Sequence, residues 1–247
     1  MLRLQSVSKR FENGYLALDM LDLVVRPGEI VGIVGGSGCG KSTLLGLAAG
    51  LIQPTTGVVW CRDAQVHAPR PDVGLVFQEP RLMPWLTLAE NAEFGLLDRP
   101  KAERRQRALR TLRRVGLERF ADALPRELSG GMRMRVSIAR ALVAEPRVLL
   151  MDEPFAALDE ITRFRLNDDL LRLWASQRWT VVFVTHSVFE SVYLSTRIVV
   201  MSARPGRVSS EFEVRVPAPR DPSFRTSASY AEQCRTVSAR LGEAMQA

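Results

Sequence analysis

Gly35-Gly36-Ser37-Gly38-Cys39-Gly40-Lys41-Ser42-Thr43 follows the apolar run Glu29–Val34 and opens a helical pattern, Lys41–Gly50, that ends near glycine. The stretch fits G-x-x-x-x-G-K-[ST], with its first glycine at 35 and its second at 40. Glycines let the backbone wrap closely around phosphate oxygens with its N–H groups turned inward, and the following helix presents its positive end to the same anion. In that geometry Lys41 reaches the β- and γ-phosphates and the Ser42 hydroxyl ligates Mg²⁺. A bare glycine-rich turn does not account for Lys41-Ser42 with a strand before it and a helix after it. The chain is therefore read as binding a nucleoside triphosphate.

Outward from this loop the chain divides. Leu2–Val7 alternates with the strand period, Leu16–Val25 continues in kind, and Asn13-Gly14 and Pro27-Gly28 are turn dipeptides, so the opening reads as short antiparallel strands. Glu29–Val34, Arg147–Met151 and Thr180–Thr185 are apolar on both faces, as buried parallel strands are. Thr56–Cys61, Pro71–Phe77, Ile198–Met201 and Val208–Val216 are further strand candidates, and Glu160–Gln177 is a helix candidate. From about 84 to 140 the pattern turns to charged and apolar helices, with Ala108, Leu109, Leu112 and Val115 sharing one face of Lys101–Val115. The expected fold is α/β: a P-loop NTPase core on a mainly parallel sheet, an N-terminal antiparallel β subdomain and a helical insertion subdomain. After Pro217 and Pro219, Tyr230, Cys234, Val237, Leu241 and Met245 share a helical face. The C-terminal extension 216–247 is expected to be helical and packed on the core.

Strand ends supply the other candidates. Asp152 and Glu153 close the strand Val148–Met151, and adjacent residues of an extended strand point in different directions. Asp152 is assigned to the metal and Glu153 to the attacking water, as general base or positioning group. Gln78 follows one strand and His186 another. In a parallel sheet both emerge at the carboxyl edge that carries the phosphate loop, where Gln78 contacts a metal-bound water and His186 donates to the γ-phosphate. His67, beside prolines, reads as exposed. Leu128-Ser129-Gly130-Gly131-Met132 precedes the helical pattern Arg133–Ala144; Ser129 is an N-cap and the glycines free N–H groups for a second anion site. One chain already has its phosphate loop, so a capped helix start and a site for another subunit's nucleotide both stand.

Composition bounds the class. The 247 residues are 46% hydrophobic, enough for a sizeable core, and the longest apolar run, Ile30–Gly36, is far short of a membrane span. Glu12 and Asp19 interrupt any secretory signal. Cys39, Cys61 and Cys234 are too few for a disulfide framework, so a reducing compartment is expected. The net charge of +7 rests almost wholly on arginine, since only Lys9, Lys41 and Lys101 are lysines; it suits a membrane complex or a nucleotide as well as nucleic acid, and decides nothing.

These residues together resemble the ATP-binding cassette family, the nucleotide-hydrolysing subunits of ABC transporters. The loop 35–43, Gln78, the Leu-Ser-Gly-Gly segment 128–131, Asp152-Glu153, Ala157-Leu158-Asp159 and His186 stand in that family's order, with Gly131 lying 21 positions before Asp152. The resemblance covers residues 1 to about 215, taken as the ATPase domain. It implies MgATP hydrolysis in a head-to-tail dimer of two copies, where Ser129, Gly130 and Gly131 of one subunit bind the nucleotide held by Lys41 of the other and Asp159 lines the interface. It also implies that Phe11 stacks on adenine, with Tyr15 as the nearby competitor. The region Glu79–Trp85, Met132-Arg133 and Ser202–Arg207 look like the importer branch for nitrate, sulfonates, taurine and bicarbonate. That branch implies integral-membrane permease subunits, an extracytoplasmic solute-binding protein, no nucleic acid, and a peripheral place on the cytoplasmic face of a bacterial cell membrane. Gly36, Met132, Met134 and Ser187 depart from the commoner residues of the family without removing a phosphate contact. An exporter ATPase is the alternative. A cassette acting on DNA or ribosomes fits less well, because there is one phosphate loop and no room for a coiled-coil insertion.

Overall fold

Alternation along the central strands explains how one sheet comes to be covered on both sides. Ile30, Val34, Leu149, Met151, Val181, Phe183, Ile198 and Val200 face one core, while Val31, Ile33, Val148, Leu150, Val182, Val184, Val199 and Met201 face the other. The computed structural model describes residues 1–216 and 220–246. In chain order the elements are β1 (Leu2–Arg10), β2 (Leu16–Val25), β3 (Ile30–Gly35), α1 (Lys41–Ala48), β4 (Thr56–Cys61), β5 (Ala64–Gln65), β6 (Val73–Val76), α2 (Leu88–Glu93) and α3 (Lys101–Arg114). Then come α4 (Gly130–Leu142), β7 (Val148–Asp152), α5 (Glu160–Gln177), β8 (Thr180–Thr185), α6 (Val188–Leu194), β9 (Arg197–Ser202), β10 (Arg207–Glu213) and α7 (Ala228–Gln246). The order of the larger sheet is β10-β9-β3-β8-β7-β6, all parallel except β10. The smaller sheet, β2-β1-β4-β5, is antiparallel and packs with α1 against one face of the larger; α2–α4 form the helical insertion on the other. The protein is thus a P-loop NTPase-like α/β core with an antiparallel β subdomain and a helical insertion.

Several boundaries differ from the sequence reading, each for a local reason. β1 runs to Arg10, past the expected Val7, because the register shifts after Leu4: Ser6 adopts a left-handed φ of 47° and its N–H goes to Asp22 instead. β10 stops at Glu213 and not Val216, since the Val214 N–H turns to Thr196 O and the Arg215 N–H to Gln233. α6 is absent from the sequence reading; its Val, Phe and Tyr content favours strand, and tertiary packing overrides that. α5 ends at a left-handed Arg178 that stacks on Trp174, whose indole N–H donates to Trp179 O.

The face expected on α7 is shifted at its far end. Tyr230, Cys234 and Val237 are buried as expected, but Ala244 continues the stripe and Met245 is exposed. The helix repeat takes a step of three after Leu241, not four. Arg220 lies where the extension meets the core, donating to the Tyr193 and Ser195 carbonyls at the end of α6. All three cysteines are buried and free, and among the described residues no helix is long and apolar enough to cross a membrane.

Candidate functional site

The carboxyl ends of β3, β8 and β7 lie side by side, with Val34 opposite Thr185 and Val184 opposite Asp152. Each strand hands its next residues to one cleft of about 290 Å³, lined by the phosphate loop from Ser37 to Thr43 except the buried Cys39, by Tyr15 and Ala17, and by Glu153 and His186. The loop requires its glycines. Gly38 and Gly40 have φ of 77° and 90°, and a Cβ on Gly40 would come within 2.6–2.8 Å of Leu18 and of Ala17 O. Gly36 leaves ordinary contact distance to Met245 of α7, 3.6 Å from an added Cβ. The C-terminal helix therefore borders the loop.

Lys41 begins α1 and is buried. Its ammonium donates to Gly35 O at 2.9 Å and Gly36 O at 3.0 Å, and lies 3.7 Å from Cys39 Sγ. No carboxylate pairs with it among the described residues. A buried cation without a counter-charge, at the start of a helix whose N–H groups point into the cleft, is an anion site by elementary electrostatics. Ser42 Oγ donates to Asp152 Oδ1 at 3.2 Å, joining the loop to the end of β7.

Glu153 sits one residue beyond β7 in the left-handed region, φ 44°, a conformation that costs a bulky side chain about 1–2 kcal/mol. That turn leaves its carboxylate 2.6 Å from His186 Nε2 across the cleft. The sequence candidates Ser37, Gly38, Gly40, Lys41, Ser42, Thr43, Glu153 and His186 thus share one cleft; Gly35, Gly36 and the buried Cys39 do not line it, and Asp152 adjoins it through Ser42.

Apart from Tyr15, the other candidates lie outside this cleft. Gln78 is exposed beyond the end of the edge strand β6 and does not line the cleft. Phe11 enters the β1–β2 turn, 37% exposed with Lys9 Nζ 5.4 Å from its ring centre, and Tyr15 leaves the turn and donates to Gly38 O at 3.0 Å. Ser129 caps α4, accepting from Met132 N, and Gly131 packs on α5, where an added Cβ would stand 2.5 Å from Thr162. Asp159 caps α5 in turn; the Thr162 N–H bonded to it holds its carboxyl below the usual range. His67 is exposed. One buried carboxyl near the site was not anticipated: Glu190, three residues after Ser187, in the S-x-x-E spacing of a capping box.

The oxygen pair of Ser42 and Asp152 suits a hard divalent cation. Among the described residues no cluster of three His, Cys, Asp or Glu side chains forms a metal cage. That is the donor set expected for Mg²⁺ held largely by water and phosphate oxygens.

Nucleotide loop, strand-end acid pair and histidine on this sheet define a nucleotide-hydrolysing P-loop site. The ABC transporter family model matches residues 18–156, and the chain belongs to that family. It is an ATP-binding and ATP-hydrolysing ABC-transporter subunit, related to the importer ATPases for nitrate, sulfonates, taurine and bicarbonate. An uncharacterized ABC transporter ATP-binding protein of Methanocaldococcus jannaschii is 48% identical over 236 residues, covering 94% of this chain and 87% of its own. The aliphatic sulfonates import ATP-binding protein SsuB 1 of Xanthomonas axonopodis pv. citri is 45% identical over 223 residues, covering 89% and 88%. Among solved structures, the dimeric post-hydrolysis state of the ATP-binding cassette MJ0796 bound to ADP and Pi has a TM-score of 0.77 at 36% identity, covering 88% of this chain and all of that one.

Proposed function

We propose that this chain is the ATPase of an importer, working as a head-to-tail pair on the cytoplasmic side of a membrane permease that receives its solute from an extracytoplasmic binding protein. The single observation that carries the hydrolytic part is the 2.6 Å contact of Glu153 and His186 across the cleft from the uncompensated Lys41 ammonium. In this reading Lys41 leaves the loop carbonyls for the β- and γ-phosphates. Glu153 orients the attacking water and takes its proton, and His186 donates to the γ-phosphate. Asp152 and Ser42 would hold Mg²⁺, which would supply charge neutralisation on the phosphates, and Gln78, beyond the carboxyl end of the neighbouring β6, would contact a metal-bound water. Phe11, 37% exposed, stacks on adenine, while Tyr15 has its hydroxyl engaged by Gly38 and borders the phosphates.

Ser129, Gly130 and Gly131 lie outside the cleft that contains Lys41. A second copy is the means of bringing them to a γ-phosphate, with Asp159 at the seam. The solute class is that of the related importers: a small anion or zwitterion such as nitrate, an alkanesulfonate or taurine. ATPase assays on Glu153→Gln test the hydrolytic assignment: turnover falls to background while an ATP-bound dimer persists on size-exclusion chromatography, and turnover near wild type refutes Glu153 as the base. Affinity purification from gently solubilised membranes, read by mass spectrometry, tests the importer. Co-purification of a permease and a solute-binding protein supports it, and a permease that recruits no binding protein points to export.

A further inference from the structure

Two helices of this protein begin with the S/T-x-x-E spacing, and they use it differently. At α2, Glu90 bonds the Thr87 N–H and hydroxyl, Thr87 accepts from Glu90 N, and the carboxylate stays at the surface as a capping box should. At α6, Ser187 Oγ accepts from Glu190 N at 3.2 Å, but the Glu190 carboxyl does not return to Ser187. It turns inward to 6% exposure, where Oε2 accepts from Thr185 Oγ1 at 2.5 Å. Thr185 Oγ1 in turn accepts the Ser187 N–H at 3.0 Å. The bond that Glu190 would make in a regular box is made by Thr185, the last residue of β8.

The consequence is a clamp around one residue. Thr185 and Ser187 flank His186, and Glu190 holds both, the first with its side chain and the second with its backbone N–H. Burial raises the pKa of Glu190, so the arrangement costs stability that an exposed cap would not. Arg163 and Asn167 of α5 and the Glu153 carboxylate are the polar groups facing it. A small cavity of about 260 Å³ has Glu153 and His186 on its wall together with Thr185, Glu190 and Arg163, so the carboxyl lies directly behind the hydrolytic pair. Neither Thr185 nor Glu190 lines the cleft that contains Lys41.

We infer that Glu190 and Thr185 are positioning residues for hydrolysis: their hydrogen-bond relay sets the height and direction of His186 over the cleft and so its 2.6 Å approach to Glu153. This rests on the reading of Glu153 and His186 as the hydrolytic pair. Because neither Thr185 nor Glu190 lines the Lys41 cleft, their loss acts through the placement of His186, on turnover more than on nucleotide binding. A displaced catalytic group of this kind costs about 10- to 100-fold in rate.

The test is steady-state ATPase kinetics on the full chain carrying Thr185→Val, Glu190→Ala, both together, and Glu190→Gln, with melting temperatures measured alongside. We expect kcat to fall about 10- to 100-fold in each of the first two with KM for ATP within about 3-fold of wild type. The double variant should be no worse than either single, because both remove one relay. Glu190→Gln, whose amide oxygen still accepts from Thr185, recovers most of the rate. Retained kcat in Thr185→Val, multiplying losses in the double variant, or a glutamine variant as slow as the alanine one overturns the inference. If Glu190→Ala fails to fold, Thr185→Val and Glu190→Gln decide alone. Glu153→Gln and His186→Ala are run in parallel: turnover retained in those two refutes the hydrolytic pair itself and the relay with it, whereas turnover lost there but kept in Thr185→Val refutes the relay only.

Discussion

Gly131→Ala is the substitution for which two physical effects most clearly oppose each other. Replacing a helical glycine by alanine ordinarily stabilises by about 0.5–1 kcal/mol through backbone entropy. Here the new methyl would stand 2.5 Å from Thr162 Cγ2, about 1 Å inside the 3.5–4.0 Å of a comfortable carbon contact. Thr162 is not free to yield, because its N–H is the one that Asp159 accepts to cap α5. Overpacking of this sort costs about 1–3 kcal/mol, so the clash outweighs the entropy gain and the net loss is about 0–2.5 kcal/mol, centred on about 1. For a chain of this size a loss of about 1 kcal/mol lowers Tm by about 2–4 °C. Differential scanning calorimetry on wild type, Gly131→Ala and Gly131→Ala/Thr162→Ser reads it; serine removes the clashing methyl and keeps the hydroxyl, so the pair recovers the lost stability. Gly130→Ala is the control, with Leu158 Cδ2 at 3.4 Å and no fall in Tm expected. A Gly131→Ala protein that melts at or above wild type, or one that Thr162→Ser does not rescue, refutes the reasoning.

Other outcomes follow from the same geometry. Lys41→Ala removes the buried ammonium and should abolish detectable ATP binding in a fluorescent-nucleotide titration; unchanged affinity rejects its phosphate contacts. At Glu29, burial opposes ionisation, but the Arg197 guanidinium at 2.8 Å and the Arg26 N–H outweigh it and hold the carboxyl below its ordinary 4.5. A depressed carboxyl stabilises the fold above its unfolded pKa, and that contribution is lost as pH falls through the folded value. Tm should therefore drop as pH falls below about 4.5, and Arg197→Leu should flatten that part of the profile while lowering Tm at pH 7. An identical acid slope in the variant removes the assignment. Phe11→Ala should weaken adenine nucleotides at least several-fold without changing Tm appreciably, whereas Tyr15→Phe, which loses only the bond to Gly38, should alter affinity less. Isothermal titration with ATP reads both, and unchanged affinity in Phe11→Ala removes the stacking assignment.

Much of the site was legible because its parts are local. The strand–loop–helix unit around 35–43 has its geometry written into glycines at 38 and 40 and a lysine at the helix start. Each central strand announces itself as a short run apolar on both faces. Glu190 shows where local reading stops: Ser187-Val188-Phe189-Glu190 spells a surface capping box, and nothing in those residues tells that Thr185 intercepts the serine N–H and draws the carboxyl inside. Met245 likewise belongs to the apolar face of a regular helix in sequence, yet the repeat carries it out of the core beside the phosphate loop.

The amino-acid sequence by itself therefore determined the chemistry: a phosphate loop, an acid pair at a strand end, a histidine at another, and the class of fold that holds them. Those signals survive in one dimension because each depends on neighbours within a few residues. The tertiary structure alone decided which of them meet. Parallel pairing of β3, β8 and β7 brings Lys41, His186 and Glu153 to one cleft. It leaves Gln78 beyond the end of the edge strand and Ser129 capping a separate helix, because strand order and helix packing are set by long-range burial that no local pattern encodes.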